Sequence, residues 1–283
     1  MGDALAWLAD AAAERERAGL HRVLTPRPAG ADRVLDLASN DYLGLSRHPD
    51  VVAGAVAALG AYGAGSTGSR LVTGTTALHV ALEEALAEFV GAGSALVFSS
   101  GYTANLGAVT ALTGPGTLIV SDAANHASLV DACRLSRARV VIVPTGDVAA
   151  VERALAERTE ERALVVTDAV FSVSGLLAPL AELHAAVRRS GAALLVDEAH
   201  GLGVVGAAGR GAGAQAGLAG EPDVVLTVTL SKALGSQGGA VLGPAPVRDH
   251  LIDTARPFVF DTGLAPASAG AALAALGLVT PRR

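Results

Sequence analysis

The chain is nearly without lysine. All but one of its 21 basic residues are arginine, and the exception is Lys232. Arginine replaces lysine wherever a positive charge is enough, but its guanidinium cannot lose a proton and attack a carbonyl carbon. Lys232 stands shortly after the apolar run Val224–Val228, where a lysine that bonds covalently to a carbonyl group is expected. The alternative is that a composition rich in alanine, glycine and arginine left one lysine by chance, and the count alone does not separate the two.

Cysteine and charge are also scarce. Cys133 is the only cysteine, which excludes a disulfide framework and a cysteine-based zinc site within one chain and fits a reducing cytosol. Charged residues make up 17% and the net charge is -6, so the chain lacks the concentrated basic surface typical of nucleic-acid binding. The start of the chain lacks the basic region of a signal peptide. The uncharged stretch 262–280 is too short and interrupted for a confident membrane span, and we therefore expect a cytoplasmic protein.

Short apolar runs alternate with helical patterns along the chain. The strand candidates are Ala95–Phe98, Thr117–Val120, Val140–Val143, Leu164–Thr167, Ala193–Val196 and Val224–Val228. Their apolar residues are continuous, which predicts strands buried on both faces. The clearest helix is Ala77–Val90, which Thr75 or Thr76 can cap and Gly91 can end. The alternation predicts an α/β fold with a mostly parallel sheet and right-handed crossovers.

The two ends of the chain differ from this pattern. Residues 1–45 predict an N-terminal helix, a connector with Pro26 and Pro28, and a strand-like segment Val34–Leu37. We expect residues 46–262 to form the large domain. The segment Pro266–Val279 predicts an alanine-rich helix, so residues 263–283 are assigned to a third, short part of the chain.

The strand candidate Ala193–Val196 runs into the motif Asp197-Glu-Ala-His-Gly201. Ligands of open α/β sheets bind beyond the carboxyl ends of the strands, so Asp197 is placed at a binding site. The same motif occurs in helicase-type NTPases, but those need a phosphate loop that contains a lysine. Lys232 lies in a different context, C-terminal to the motif, which argues against that class. A structural capping role for Asp197 and His200 stays open.

Lys232 and Asp197 together predict a pyridoxal phosphate site. A lysine bonded to this cofactor needs an acid opposite the pyridine nitrogen, because the protonated ring accepts electrons from the substrate. Opposite charges in a partly dry site favour each other's charged form. His200, three residues after Asp197, is a candidate for a hydrogen bond with the phenolic oxygen of the ring.

Three further features fit such a cofactor. The segment Ser99-Ser-Gly-Tyr-Thr103 follows a strand candidate and opens a helix, and amides at a helix N-terminus favour a phosphate. Thr229 offers a hydroxyl near Lys232. His126 is a candidate for stacking on the ring, although a lone histidine more often has a structural role.

Seven ordered motifs resemble the α-oxoamine synthases, a family of fold-type I pyridoxal phosphate enzymes. The motifs are Ser39-Asn-Asp-Tyr-Leu-Gly-Leu45, Gly65-Ser-Thr-Gly-Ser-Arg70, Leu71-Val-Thr-Gly-Thr75, Asn125-His-Ala-Ser128, Val196-Asp-Glu-Ala-His-Gly201, Gly209-Arg-Gly211 and Thr229-Leu-Ser-Lys-Ala-Leu-Gly235. The resemblance runs from near residue 18 to near residue 275. It implies a three-layer, aminotransferase-like large domain with a mostly parallel central sheet, and it implies that a small C-terminal domain of the family is missing here, with residues 263–283 as the start of a truncated interdomain helix.

The resemblance also implies roles for individual residues. Lys232, His126 and Asp197 are the implied catalytic residues. The implied cofactor-binding residues are Gly101, Tyr102, His126, Ser172, Asp197, His200, Thr229, Lys232 and Thr262. The implied substrate-binding residues are Arg22, Asn40 and His126, where Arg22 adjoins a position, His21, at which the family usually has arginine. Thr262 reaches the phosphate of a neighbouring subunit, which implies a homodimer with shared sites, and no metal is implied.

The implied reaction is a decarboxylative condensation of L-alanine with a pimeloyl thioester, carried by coenzyme A or a carrier protein, in biotin biosynthesis. Other family members, of the glycine C-acetyltransferase, serine palmitoyltransferase and 5-aminolevulinate synthase types, share the cofactor chemistry and stay open as alternatives. A non-catalytic protein is a further alternative, because the family's carboxylate-binding arginine lies in the small domain.

Overall fold

The computed structural model describes residues 3–27, 29 and 36–279. Two units separate between Ser39 and Asn40. The first contains α1 (Trp7–Arg17), in which every residue is exposed or half-buried. Pro28 and the first half of the candidate strand Val34–Leu37 lie outside the described residues, and the remaining two residues of that candidate are in irregular backbone. The predicted domain bounds at residues 45 and 262 stay a prediction.

The second unit is built on one sheet, in which the described residues contribute seven strands. These are β1 (Ser94–Phe98), β2 (Thr117–Asp122), β3 (Arg139–Val143), β4 (Arg162–Asp168), β5 (Ala193–Asp197), β6 (Val224–Thr229) and β7 (Gly239–Gly243). Their order is β1-β7-β6-β5-β4-β2-β3. The pairs from β6 to β3 are parallel, and β7 runs antiparallel to β1 and β6. The predicted mostly parallel sheet is confirmed.

The six predicted strands are all present, and their bounds differ from the prediction by one or two residues at an end. The sequence analysis missed β7, whose short apolar stretch lies between Gly239 and Gly243, because glycine is typical of turns rather than strands. The expectation of burial on both faces was wrong for β3. Val140 and Ile142 are 37% and 70% exposed, because β3 is an edge strand that fewer elements cover.

Helices cover both faces of the sheet. They are α2 (Pro49–Tyr62), α3 (Ala77–Val90), α4 (Gly101–Leu112), α5 (Ala127–Leu135), α6 (Val148–Ala156), α7 (Leu180–Arg189), α8 (Ala212–Gln215), α9 (Ala245–Thr254), α10 (Arg256–Val259) and α11 (Pro266–Leu278). The prediction for α3 is confirmed, with Thr76 before its first residue and Gly91 in the left-handed conformation after its last. The helix predicted over residues 266–279 is present as α11, which packs against α2 and α3.

Except in the edge strand β3, the apolar side chains of the strands alternate between two hydrophobic clusters. In β1, Ala95 and Val97 belong to the cluster that includes residues of α3, α6, α7 and α11. Leu96 and Phe98 belong to the cluster on the other face, with residues of α4, α5, α9 and α10. Because successive side chains of a strand point to opposite faces, the sheet is the middle of three layers. Of the helices in the described residues, none is long and apolar enough to cross a membrane.

Candidate active site

A cavity of about 250 Å³ lies beyond the carboxyl ends of β4, β5 and β6. Such ends are where open α/β sheets bind ligands. The cavity brings together seven of the predicted site residues: Gly101, Tyr102, His126, Asp197, His200, Thr229 and Lys232. The other residues that line it are Ser100, Asn105, Ser128, Asp168, Ala199 and Ser231.

Asp197 is the last residue of β5, and its side chain is buried at the floor of the site. Its two carboxylate oxygens accept hydrogen bonds from different donors. Oδ2 accepts from Asn105 Nδ2 at 2.6 Å, and Oδ1 accepts from the amide of Ala199 at 2.8 Å. Both bonds stabilise a negative charge on Asp197. A buried carboxylate held in this way can bind a positively charged ring nitrogen.

Asn105 orients this carboxylate, and the sequence analysis missed it. Its amide also donates to Ser128 Oγ at 2.9 Å, and its carbonyl oxygen accepts from Thr227 Oγ1 at 2.6 Å. Ser128 Oγ in turn lies 2.7 Å from His126 Nδ1. These bonds link helices α4 and α5 to strands β5 and β6. The signal available in the sequence was the position of Asn105 one helical turn after Gly101, which places both residues on the same face of α4.

Lys232 follows β6 by three residues, and its Nζ lies 2.7 Å from His200 Nε2. Partial burial lowers the pKa of the Lys232 amine from its usual 10.5, and the nearby carboxylates of Asp197 and Asp168 partly oppose that change. A lowered pKa increases the fraction of neutral amine, which is the form that attacks a carbonyl carbon. The only lysine of the chain therefore lies in the same cavity as Asp197.

The start of helix α4, at Ser100 and Gly101, also lines the cavity. Ser100 caps it, because its hydroxyl accepts from the amide of Thr103 at 3.1 Å. Gly101 must be close to the start of β7, since a Cβ on Gly239 would lie 2.5 Å from the Gly101 Cα. The first turn of α4 also packs against Thr229, since a Cβ on Gly101 would lie 3.0 Å from the Thr229 Cβ. Amides at a helix N-terminus bind anions, so this end of the cavity suits a phosphate.

Four predicted residues are not among those that line the cavity. Ser172 is exposed in the turn after β4. Thr262 is exposed and forms an isolated bridge with Ser69. Asn40 is exposed and accepts a hydrogen bond from the Tyr42 hydroxyl at 3.0 Å. Arg22 belongs to the first unit. The roles assigned to these four residues stay predictions.

A second buried acid faces the cavity, and the sequence analysis missed it. Asp168 ends β4 and is paired in register with Asp197. Burial, and then the Asp197 charge, raise the pKa of Asp168 to about 7. Its Oδ1 accepts a long bond from the amide of His126 at 3.4 Å, and its Oδ2 has no hydrogen-bond partner among the described residues. The signal was present in the sequence, since an acid follows the apolar run Leu164–Thr167 as Asp197 follows its own run.

The cavity fits pyridoxal phosphate. The Lys232 amine suits an aldehyde, the Asp197 carboxylate suits a protonated ring nitrogen, and the start of α4 suits a phosphate. The unpartnered oxygen of Asp168 is a polar atom that an occupant of the cavity can satisfy. Together with the three-layer fold, this site defines a class of protein, the pyridoxal-phosphate-dependent transferases built on an aminotransferase-like domain.

Comparison with known proteins supports that class and narrows it. The family model for aminotransferase class I and II matches residues 32–279. The chain is 72% identical over 272 residues to an 8-amino-7-oxononanoate synthase of Mycolicibacterium gilvum, covering 96% of this chain and 71% of that protein. It is 69% identical over 275 residues to the corresponding synthase of Mycobacterium marinum, covering 97% of this chain and 70% of that protein.

Solved structures of the same class of protein match this chain as well. Serine palmitoyltransferase of Sphingomonas wittichii matches with a TM-score of 0.88 and 37% identity, over 99% of this chain and 73% of that one. An 8-amino-7-oxononanoate synthase of Francisella tularensis matches with a TM-score of 0.76 and 29% identity, over 88% of this chain and 70% of that one. The chain belongs to the 8-amino-7-oxononanoate synthase family of pyridoxal-phosphate-dependent acyltransferases. The predicted resemblance, the fold type and the cofactor are confirmed.

Proposed function

We propose that this chain condenses L-alanine with a pimeloyl thioester, with loss of carbon dioxide, and that Lys232 is the residue that binds the cofactor covalently. The observation that carries the proposal is the shared cavity of Lys232 and Asp197. One residue supplies the amine and the other the buried carboxylate, and the relatives' reaction needs both. In the proposed organisation, residues 46–262 form the cofactor-binding large domain.

When bound, pyridoxal phosphate supplies an aldehyde that bonds to amines and a ring that accepts electrons from the substrate's α-carbon. Asp197 keeps the ring nitrogen protonated, since its negative charge favours a proton on the nearby base. Asn105 holds the carboxylate in place for that task through its bond of 2.6 Å. His126 would contact the ring, and His200 would hydrogen-bond with its phenolic oxygen.

Lys232 has two tasks in the proposal. Its amine would hold the cofactor covalently, and the free amine would take the α-proton of the substrate. The lowered pKa of Lys232 suits the second task, because the amine is then more often unprotonated and able to accept a proton. Its neighbour His200, at 2.7 Å from Nζ, keeps the amine directed into the cavity.

The remaining predicted residues complete the assignment. Gly101, Tyr102, Ser172 and Thr229 would hold the cofactor, and Arg22 and Asn40 would bind substrate. Thr262 would contact the phosphate bound by a neighbouring subunit, so the proposal includes a homodimer. The exposure of Thr262 is compatible with this role. A cytoplasmic location, suggested by the single cysteine and the biosynthetic reaction of the relatives, is also part of the proposal.

Chemical reduction of the cofactor-loaded protein tests the assignment of Lys232. Borohydride fixes the cofactor to the amine that holds it, and intact-mass analysis then counts the label. Because the chain has one lysine, we expect about one label per chain, located on the peptide that contains Lys232. Lys232→Arg keeps the positive charge and loses the label, since guanidinium does not form the bond.

A matched control separates a specific site from a merely available amine. In the Lys232→Arg background, Arg134→Lys restores one lysine at a position whose side chain is 77% exposed. We expect this double variant to stay unlabelled at a cofactor concentration that saturates the unmodified chain. Equal labelling of the amine introduced at position 134 would show that exposure of an amine is sufficient and would contradict the proposal.

A substrate panel tests the reaction. We expect turnover with L-alanine and pimeloyl thioester, offered on coenzyme A and on a carrier protein, to exceed turnover with glycine and acetyl or succinyl thioesters. Faster turnover with glycine would assign the chain to another acyltransferase of the same chemistry. Full labelling of Lys232 with no product from any pair would favour a protein that binds the cofactor without this activity.

A further inference from the structure

We propose that Tyr42 is a positioning residue that keeps the Nδ1 atom of His200 protonated, so that His200 exchanges protons with the cavity only through Nε2. The inference concerns the protein's own hydrogen bonds. Its functional value rests on the role of Lys232 and His200 proposed above.

Four side chains form a continuous chain of hydrogen bonds that ends in the cavity. Tyr42 Oη lies 3.0 Å from Asn40 Oδ1 and 2.6 Å from His200 Nδ1. On the other side of the same ring, His200 Nε2 lies 2.7 Å from Lys232 Nζ. Both ring nitrogens of His200 are therefore engaged, and each of them faces a different kind of partner.

The direction of the bonds follows from counting protons. A tyrosine hydroxyl has one proton, and an amide oxygen such as Asn40 Oδ1 can only accept. The Tyr42 proton is therefore given to Asn40, and Tyr42 Oη is left as an acceptor towards His200. Nδ1 must then carry a proton. In the neutral imidazole, Nε2 has the lone pair, which accepts a hydrogen bond from Lys232.

The same arrangement serves both charge states of His200. In the imidazolium form, Nδ1 still donates to Tyr42, and Nε2 now donates into the cavity. Burial, followed by the charge of Lys232, lowers the pKa of His200, whereas Asp197 raises it and His126 lowers it further. At any pKa of His200, the proton that is gained or lost is the one on Nε2. Nε2 is the atom next to Lys232 and the proposed cofactor site.

The backbone around Tyr42 is built to hold it there. The Asp41 carboxylate accepts from the amide of Leu45 at 2.9 Å and from the hydroxyl of Ser46 at 2.6 Å, which closes a tight turn around Tyr42. This turn lies directly on the segment after Lys232. A Cβ on Gly235, whose φ is +60°, would lie 2.4 Å from the Ser46 amide nitrogen. Tyr42 and Lys232 thus belong to two segments in direct contact.

Nitrogen-15 NMR of histidine-labelled protein tests the inference, because protonated and unprotonated ring nitrogens have well-separated shifts. Lys232 also favours a lone pair on Nε2, so the test uses the cofactor-free Lys232→Ala variant, in which Tyr42 acts alone. We expect neutral His200 to keep the Nδ1–H form in this variant by a ratio above about ten to one, and His200→Gln assigns its signals. A mixture of the two forms in Lys232→Ala would overturn the proposal, because lysine rather than tyrosine would then be decisive.

Removal of the Tyr42 hydroxyl is the second part of the NMR experiment. In Lys232→Ala with Tyr42→Phe, we expect the two forms of His200 to be within about threefold of each other, since neither nitrogen has its former partner. The matched control is Tyr62→Phe in the same background, because Tyr62 and Tyr42 are 42% and 43% exposed. The control should keep the Nδ1–H form, and equal melting temperatures of the two double variants would exclude misfolding. An unchanged spectrum in the Tyr42→Phe variant would reject the role of the hydroxyl.

Asn40→Ala in the Lys232→Ala background checks the proton count. Without its acceptor, the Tyr42 proton becomes available to Nδ1, so we expect the Nε2–H form of His200 to rise. These experiments contain no cofactor and no substrate, so they can fail while labelling of Lys232 succeeds. The reverse also holds, because unlabelled Lys232 would refute the proposed function and leave the hydrogen-bond chain intact.

Discussion

The carboxyl ends of β4 and β5 differ in chemistry although they look alike. Each strand ends in a buried aspartate, and Asp168 and Asp197 are paired in register in adjacent parallel strands. Asp197 accepts two short hydrogen bonds, from Asn105 and from the amide of Ala199. Asp168 accepts one long bond, and its Oδ2 has no partner within the described part of the chain.

Both acids are buried, so their hydrogen-bond donors are what distinguishes them. Two carboxylates that share a dry site cannot both ionise at low cost, and hydrogen bonds to the charged form select one of them. Here Asn105 and the turn at Ala199 favour charge on Asp197. Burial, and then the charge of Asp197, raise the pKa of Asp168 to about 7. The site thereby contains an acid, Asp168, that titrates near neutrality.

Asp197→Asn should give the largest effect. The amide lacks the charge that pairs with the protonated ring, and breaking a buried ion pair costs about 3–5 kcal/mol. We expect cofactor affinity and kcat/KM to fall by more than about a hundredfold, measured by titration and by steady-state kinetics. The cofactor-free protein should also lose about 1–3 kcal/mol of stability. Asparagine keeps an oxygen for the Ala199 amide, but its NH2 group then faces the NH2 group of Asn105. If Asp168→Asn impaired cofactor binding more than Asp197→Asn, the assignment of the fixed charge to Asp197 would be wrong.

Asp168→Asn should change how stability depends on pH. The pKa of Asp168 is raised from 3.8 to about 7 in the folded protein. The folded state therefore holds a proton that the unfolded state has released. This contribution lowers stability progressively as pH rises from about 4 to about 7, and the full penalty is present above that range. Asparagine does not titrate, so the variant escapes the penalty.

Chemical denaturation of the cofactor-free protein at pH 5 and pH 8 measures this difference. The stability of Asp168→Asn relative to the unmodified chain should increase by roughly 2–3 kcal/mol between the two values, at most about 4 kcal/mol in total. Glu198, whose pKa burial also raises to about 7, titrates in both proteins and cancels in the comparison. A constant difference across this pH range would show that Asp168 ionises normally.

Asn105→Ala should make the hydrogen bonding of Asp197 more like that of Asp168, because it removes one of the two donors to Asp197. Asp197 and the Thr227 hydroxyl each lose a partner, and an unsatisfied buried group costs about 1–3 kcal/mol. We expect the variant to be less stable by that amount and about tenfold less active. Thr227→Val is the matched control, since it removes a different bond of Asn105 and leaves the Asp197 and His126 contacts in place. The control variant should lose about 1 kcal/mol of stability. An equal loss of activity in both variants would show that the hydrogen bond from Asn105 to Asp197 is not what activity depends on.

Local patterns predicted one of these two acids and missed the other. Asp197 was found because His200 follows it within a recognisable motif, and Lys232 was found because it is the only primary amine among the side chains. Asp168 stands at the end of an equally apolar run, but without such a motif it resembled an ordinary strand end. The strand β7 was missed for a similar reason, since its Gly239–Gly243 ends are typical of turns.

Residues that act through distant partners could not be predicted from local patterns. Asn105 is 92 positions from Asp197 along the chain, and Tyr42 is 158 positions from His200. Each residue sits in a segment whose own pattern predicts only a helix or a turn. Their roles follow from the order of the strands and from the close contact of the 41–46 turn with Gly235, which local periodicity does not specify.

The order of apolar runs, the single amine at position 232 and the acid at position 197 were enough to predict an α/β fold with a mostly parallel sheet and the chemistry of its cofactor. Those features are local, because strand burial, helix capping and the reactivity of an amine depend on residues close in the chain. Only the tertiary structure decided which aspartate has two short hydrogen-bond donors and which partner each ring nitrogen of His200 faces. Those partners come from remote segments, and only folding brings them within 3 Å of each other.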